Sequence, residues 1–118
     1  EIKPVSANTM ADSIAVDMPS DGLRALRAAT HTGGAYITVE DDAIIKAIAD
    51  LGKVGIFSEP AAATAYAGLK KVLADRLVSP DEPTLLLLTG SGLKDVAAVP
   101  VGKPIPVDAN PASVRVVL

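Results

Sequence analysis

Two short stretches carry residue types suited to holding a small polar ligand. Thr89-Gly90-Ser91-Gly92 packs two hydroxyls and two glycines into four positions. Glycine lets a backbone come close to a ligand, and a hydroxyl both donates and accepts a hydrogen bond. Glu59-Pro60-Ala61-Ala62-Ala63 places a carboxylate ahead of a run of small residues, where an acid can face a pocket. Each stretch also has a plainer reading. T-G-S-G lacks the six-residue spacing of a dinucleotide loop and the Gly-Lys-Ser/Thr ending of a P-loop, so local evidence favours a strand-to-helix turn. Glu59 reads first as a helix cap.

Other polar residues offer less. His31 is the single histidine. It falls near a helix C-terminus, where a partly cationic imidazole is favoured. With no second histidine and no cysteine, no metal site is expected and no Ser/His/Asp triad can be argued. Asp41 and Asp42 read as a solvated helix start. Asp12 and Ser13 lie in a polar stretch compatible with a substrate loop.

The elements that must position these residues follow from local patterns. Pro19-Ser20-Asp21-Gly22 signals a helix start with Ser20 as N-cap, and Thr32-Gly33-Gly34 signals its end. Leu23, Leu26 and Thr30 recur along that helix at helical spacing. Ile14-Ala15-Val16 and Ala35 to Val39 read as strands. After Glu40-Asp41-Asp42, the stripe Ile44, Ile45, Ile48 and Leu51 predicts a second helix ending at Gly52 and Gly55. A third runs from about Ala61 to about Arg76, capped by Ser58 or Glu59 with Pro60 in its first turn. Its seam is Ala62, Ala65, Leu69, Val72 and Leu73, and the alanines permit close approach to a neighbour. Thr84 to Leu88 is an unbroken apolar run, as expected of a strand covered on both faces. Residues 96–118 hold four of the nine prolines and read as an extended tail with one short strand, Ile105 to Val107.

The pattern predicts an α/β fold, a short parallel sheet of few strands with flanking helices. In such sheets ligands bind at the carboxyl ends of the strands, which points to the loop after Leu88. Bulk properties narrow the function. The 118 residues carry a net charge of -3 and are 49% hydrophobic but only 3% aromatic, so aliphatic side chains must build the core. There is no basic stripe for nucleic acid and no apolar run near the ~20 residues needed to span a membrane. The first residues, Glu1-Ile2-Lys3-Pro4, show neither a signal peptide nor an initiator Met, as a trimmed chain would.

Taken together, E-P-A-A-A, the alanine-rich helix, and Leu85 to Leu88 running into T-G-S-G-L-K-D resemble the C-terminal region of the threonine synthases. The wider group is the fold-type II (tryptophan synthase beta-like) pyridoxal-phosphate enzymes, which includes threonine dehydratase and serine racemase. Gly33 to Val39 and the Pro-rich Lys103 to Val107 share the resemblance. It implies that residues 1–95 are the C-terminal part of a large domain, followed by the tail 96–118.

It also implies roles. Thr89 matches the hydroxyl residue that meets the pyridine nitrogen of pyridoxal phosphate. Glu59 matches an acid near the cofactor side of the pocket, and Gly90, Ser91 and Gly92 belong to the same loop. No catalytic residue is assigned here, because the family's catalytic lysine and phosphate cup lie in its earlier half, and no metal-binding residue is assigned either. The expected function is one part of an enzyme that turns O-phospho-L-homoserine and water into L-threonine and phosphate, inactive as this fragment. A small amino-acid substrate and a cytoplasmic setting are expected with it, without nucleic-acid or membrane partners by charge and hydropathy, and an uncovered strand edge predicts a homo-oligomer. Val16-Asp17-Met18-Pro19 departs from an I-G-N-P-like family stretch. That keeps a dehydratase or other lyase open, beside a non-catalytic small-ligand module.

Overall fold

Ile44, Ile48 and Leu51 recur on one face of a 13-residue helix, and that face needs a neighbour to cover it. In the computed structural model, which describes residues 2–99, 102 and 105–115, the neighbour is the next helix. The helices are α1 (Gly22–Thr32), α2 (Asp41–Lys53), α3 (Pro60–Ala74) and α4 (Pro111–Arg115). Short 3-10 turns occupy Asp12–Ile14, Gly92–Lys94 and Val96–Ala98. None of the helices among these residues is long and apolar enough to cross a membrane.

The core is the α2–α3 pair. Ile44, Ala47, Ile48 and Leu51 of α2 pack with Ala63 and Ala67 of α3, and Ala11 closes one end. Each fully buried Ile or Leu stabilises the fold by roughly 1.5–3 kcal/mol. Alanines on α3 let the two backbones approach closely. The packing phase of α3 differs from the expected seam: Ala62, Ala63 and Ala67 are buried, while Ala65 and Leu69 are half-buried. With alanines at 61, 62, 63, 65 and 67, hydrophobicity alone does not choose which face turns inward. The partner's shape chooses.

The helix ends are defined by local chemistry. Gly33 caps α1 in the left-handed conformation (φ 67), as its sequence position predicts. The start of α1 falls to Asp21, not Ser20, and no side chain caps it. The third helix stops at Ala74, two residues short of expectation. Arg76 takes a left-handed φ of 58, so that its N–H reaches Leu73 O at 3.1 Å and the Leu77 N–H reaches Val72 O at 2.9 Å. The apolar residues of α1 find no cover: the helix buries none of its side chains, and Leu23 and Leu26 are exposed.

The expected sheet is not present among the described residues. Ile14-Ala15-Val16, Ala35 to Val39, Thr84 to Leu88 and Ile105 to Val107 form no strands; the first of these begins inside a 3-10 turn. A strand exists only through its ladder partners, and a parallel sheet needs several of them with both faces covered. Here Leu88 packs on the core, but Leu85 and Leu87 remain 85% and 68% exposed. The radius of gyration, 18.6 Å, exceeds the roughly 13–14 Å of a compact domain of this length.

Within the tail, where the prolines predict extended chain, residues 111–115 form a short helix. Asn110 Oδ1 accepts the Ser113 N–H at 3.0 Å, ahead of Pro111 in the first turn of α4. An Asn cap before a proline is a legible helix start. Lys103 and Pro104, part of the Pro-rich wording, lie outside the described residues.

Candidate functional site

The two stretches singled out by their chemistry meet. Ser58 and Ser91 form an isolated antiparallel bridge. The Glu59 N–H donates to Gly90 O at 3.1 Å, and the Gly92 N–H donates to Phe57 O at 3.0 Å. The partners are far apart in the chain, and this pairing fixes one loop against the start of α3.

Glu59 stands at the N-cap position of α3, extended at φ -70 and ψ 162, yet its side chain caps nothing. Its carboxylate turns to two distant groups. Ser13 Oγ donates to Oε2 at 3.2 Å. Lys94 Nζ lies 3.3 Å from Oε2 and 3.4 Å from Oε1, and it also donates to Ser13 Oγ at 3.1 Å. The glutamate side chain is 6% exposed against 61% for the lysine. A carboxylate so buried is costly to leave unpaired, and these two donors supply the compensation.

A cleft of about 410 Å³ opens beside the cluster, lined by Asp12, Ser13, Glu59, Pro60, Lys94 and Asp95 among others. The 3-10 turns that carry Lys94 and Asp95 are capped from within the loop. Ser91 Oγ accepts the Leu93 N–H at 3.3 Å, and Asp95 Oδ1 accepts the Ala98 N–H at 3.2 Å.

The glycines of T-G-S-G are explained by what they touch. A Cβ on Gly90 would overlap the Glu59 carboxylate. A Cβ on Gly92 would stand 2.5 Å from the Phe57 ring. Thr89 sits one residue before Gly90, exposed, and no hydrogen bond engages its hydroxyl among the described residues.

So the structure brings Glu59, Gly90, Ser91 and Gly92 together and leaves Thr89 at the lip of the same loop. Ser13, in the stretch compatible with a substrate loop, and Lys94, in the T-G-S-G-L-K-D wording, join the cluster through Glu59, a pairing the sequence does not show. A glutamate ahead of an alanine helix needs a countercharge once buried, but nothing local says which cation provides it. His31 is exposed in the last turn of α1, remote in sequence from this cluster.

Asp41 is more than a solvated helix start. It accepts Thr9 Oγ1 at 2.6 Å and the Met10 N–H at 2.9 Å. These bonds, the Thr9 hydroxyl first, hold its carboxyl below the usual value of 3.8, with burial opposing them. Asp17, in the departing Val16-Asp17-Met18-Pro19 stretch, ties the same N-terminal arm. Its Oδ1 accepts the Ala7 N–H at 2.7 Å and its carbonyl accepts the Val5 N–H at 3.0 Å.

Against known proteins, residues 1–90 match the family described as pyridoxal-phosphate dependent enzyme. The chain belongs to that family. It is similar to the threonine synthase of Methanocaldococcus jannaschii, 41% identical over 74% of this chain and 22% of that protein. Threonine synthase of Methanosarcina acetivorans is 36% identical over 91% of this chain and 27% of its own length. For threonine synthase of Mycobacterium bovis the values are 33%, 90% and 31%. The chain therefore spans between about a fifth and a third of these relatives.

Proposed function

We propose that this chain forms one wall of the cofactor pocket of a threonine synthase. The complete enzyme would convert O-phospho-L-homoserine and water to L-threonine and phosphate. The observation that carries the reading is 33–41% identity to threonine synthases over 74–91% of the chain. When bound, pyridoxal phosphate supplies an electron sink for elimination and replacement chemistry at an amino acid.

The donor set fits that cofactor through Thr89. Its exposed hydroxyl is available for the pyridine nitrogen, whereas the Glu59 carboxylate is already occupied by Ser13 and Lys94. A neutral hydroxyl leaves the nitrogen free to stay unprotonated, unlike an Asp partner. Gly90 and Gly92 keep the loop backbone tight on α3, and Ser91 spends its side chain on the following turn. In this reading Glu59 shapes the loop and does not itself hold the ring. The lysine that anchors the cofactor and the phosphate cup would come from the preceding part of the enzyme.

The test uses the complete protein that carries this segment. Phosphate release from O-phospho-L-homoserine should depend on added pyridoxal phosphate. Thr89→Val should lower kcat by about tenfold or more, the weight of one strong hydrogen bond, and shift the visible absorbance of the bound cofactor. No cofactor-dependent phosphate release from the parent protein would overturn the assignment.

A further inference from the structure

The Ser13–Glu59–Lys94 cluster joins three stretches far apart in sequence, and neither the cofactor nor the reaction accounts for it. Glu59 grips Gly90 twice. Its N–H holds the Gly90 carbonyl at 3.1 Å, and its carboxylate fills the space where a Gly90 side chain would be. What fixes the carboxylate therefore fixes Gly90, and Thr89 is its covalent neighbour. Only Ser13 and Lys94 fix it among the described residues.

We propose that Lys94, together with Ser13, is a positioning residue for the Thr89–Gly90 loop and acts through the Glu59 carboxylate. Lys94 supplies the countercharge that keeps a buried carboxylate in place. Ser13 takes a hydrogen bond from Lys94 and passes one to Glu59 Oε2. Without the ammonium, the carboxylate gains more from water than from its burial, and it would leave the contact with Gly90. The loop would then lose its support one residue from the hydroxyl assigned to the cofactor. The meaning for catalysis rests on the threonine synthase reading; the mechanical link does not.

Amide hydrogen exchange on the complete protein that carries this segment tests the link directly. In Lys94→Met, the Glu59 and Gly92 amides should exchange about tenfold faster or more, the effect of losing a charged partner to a buried group. The core amides of Ile48 and Ala67 should keep their protection, which shows that α2 and α3 remain folded. Lys94→Arg should restore slow exchange, and Ser13→Ala should give a smaller acceleration. In the complete enzyme, Lys94→Met should shift the visible absorbance of the bound cofactor and lower kcat with little change in KM, and Lys94→Arg should recover both. Unchanged Glu59 and Gly92 exchange in Lys94→Met would overturn the proposal. A parent protein that binds no pyridoxal phosphate would overturn the functional reading alone, because the exchange result still decides the link.

Discussion

The Glu59 carboxylate occupies the space in which a side chain on Gly90 would begin. The glycine is thus required by a buried acid, not by its backbone angles. Gly92 is required by a ring, that of Phe57, which is 44% exposed. The contrast gives a ranking. Gly90→Ala must displace a pinned, buried carboxylate and should cost about 1–3 kcal/mol, as overpacking does. Gly92→Ala meets a ring that can swing into solvent and should cost less. Urea denaturation of both variants checks the order, and an equal loss would contradict it.

Ser58 has the opposite problem. It is 1% exposed and its Oγ has no hydrogen-bond partner among the described residues. A buried hydroxyl without a partner is destabilising. Ser58→Ala should therefore raise stability by about 1 kcal/mol, visible as a higher denaturation midpoint at unchanged slope.

Arg76 carries a left-handed φ of 58 that suits glycine. The strain is offset by the two backbone bonds that close α3. Arg76→Gly keeps those bonds and relieves the strain. Net of the greater flexibility of unfolded glycine, it should stabilise by about 0.5–1 kcal/mol, read from the thermal midpoint.

Asp50 links α2 to α3. Lys70 Nζ lies 2.6 Å from one of its oxygens and Lys53 Nζ lies 2.9 Å from the other. Hydrogen bonding from Lys70, then from Lys53, lowers its pKa from 3.8 to about 2. The folded value lies below the unfolded one. The contribution is therefore complete above the unfolded value and is lost as pH falls through the folded value. Wild type and Asp50→Asn should differ in thermal midpoint above pH 4, and the difference should fade between pH 4 and 2. Added salt should shrink it, because both lysines are exposed and Asp50 is only half-buried.

Helix positions were legible because their causes are local. The Ile44, Ile48, Leu51 stripe and the Glu59-Pro60 start both lie within a turn or two of what they control. The Asn110-Pro111 start of α4 is equally local, but the surrounding prolines give that stretch the look of extended chain. The absence of strands was not legible, because the apolar run Thr84 to Leu88 has the composition of one, while Leu85 and Leu87 find no ladder partner among the described residues. Within the site, Glu59 and the glycines stood out by type and spacing. The pairing of Ser13 and Lys94 with Glu59 did not, since a hydroxyl and a lysine are ordinary until an acid is buried between them.

By itself the sequence determined three helices, the T-G-S-G loop after Leu88 and membership of a cofactor-dependent family. Helical hydrogen bonds join near neighbours, so residue order is enough to specify them. Only the tertiary structure decided what Glu59 does. Its carboxylate could cap α3 or face elsewhere, and the choice fell to groups 46 and 35 positions away. Charge pairing at such separations depends on how the chain packs, which no local pattern records.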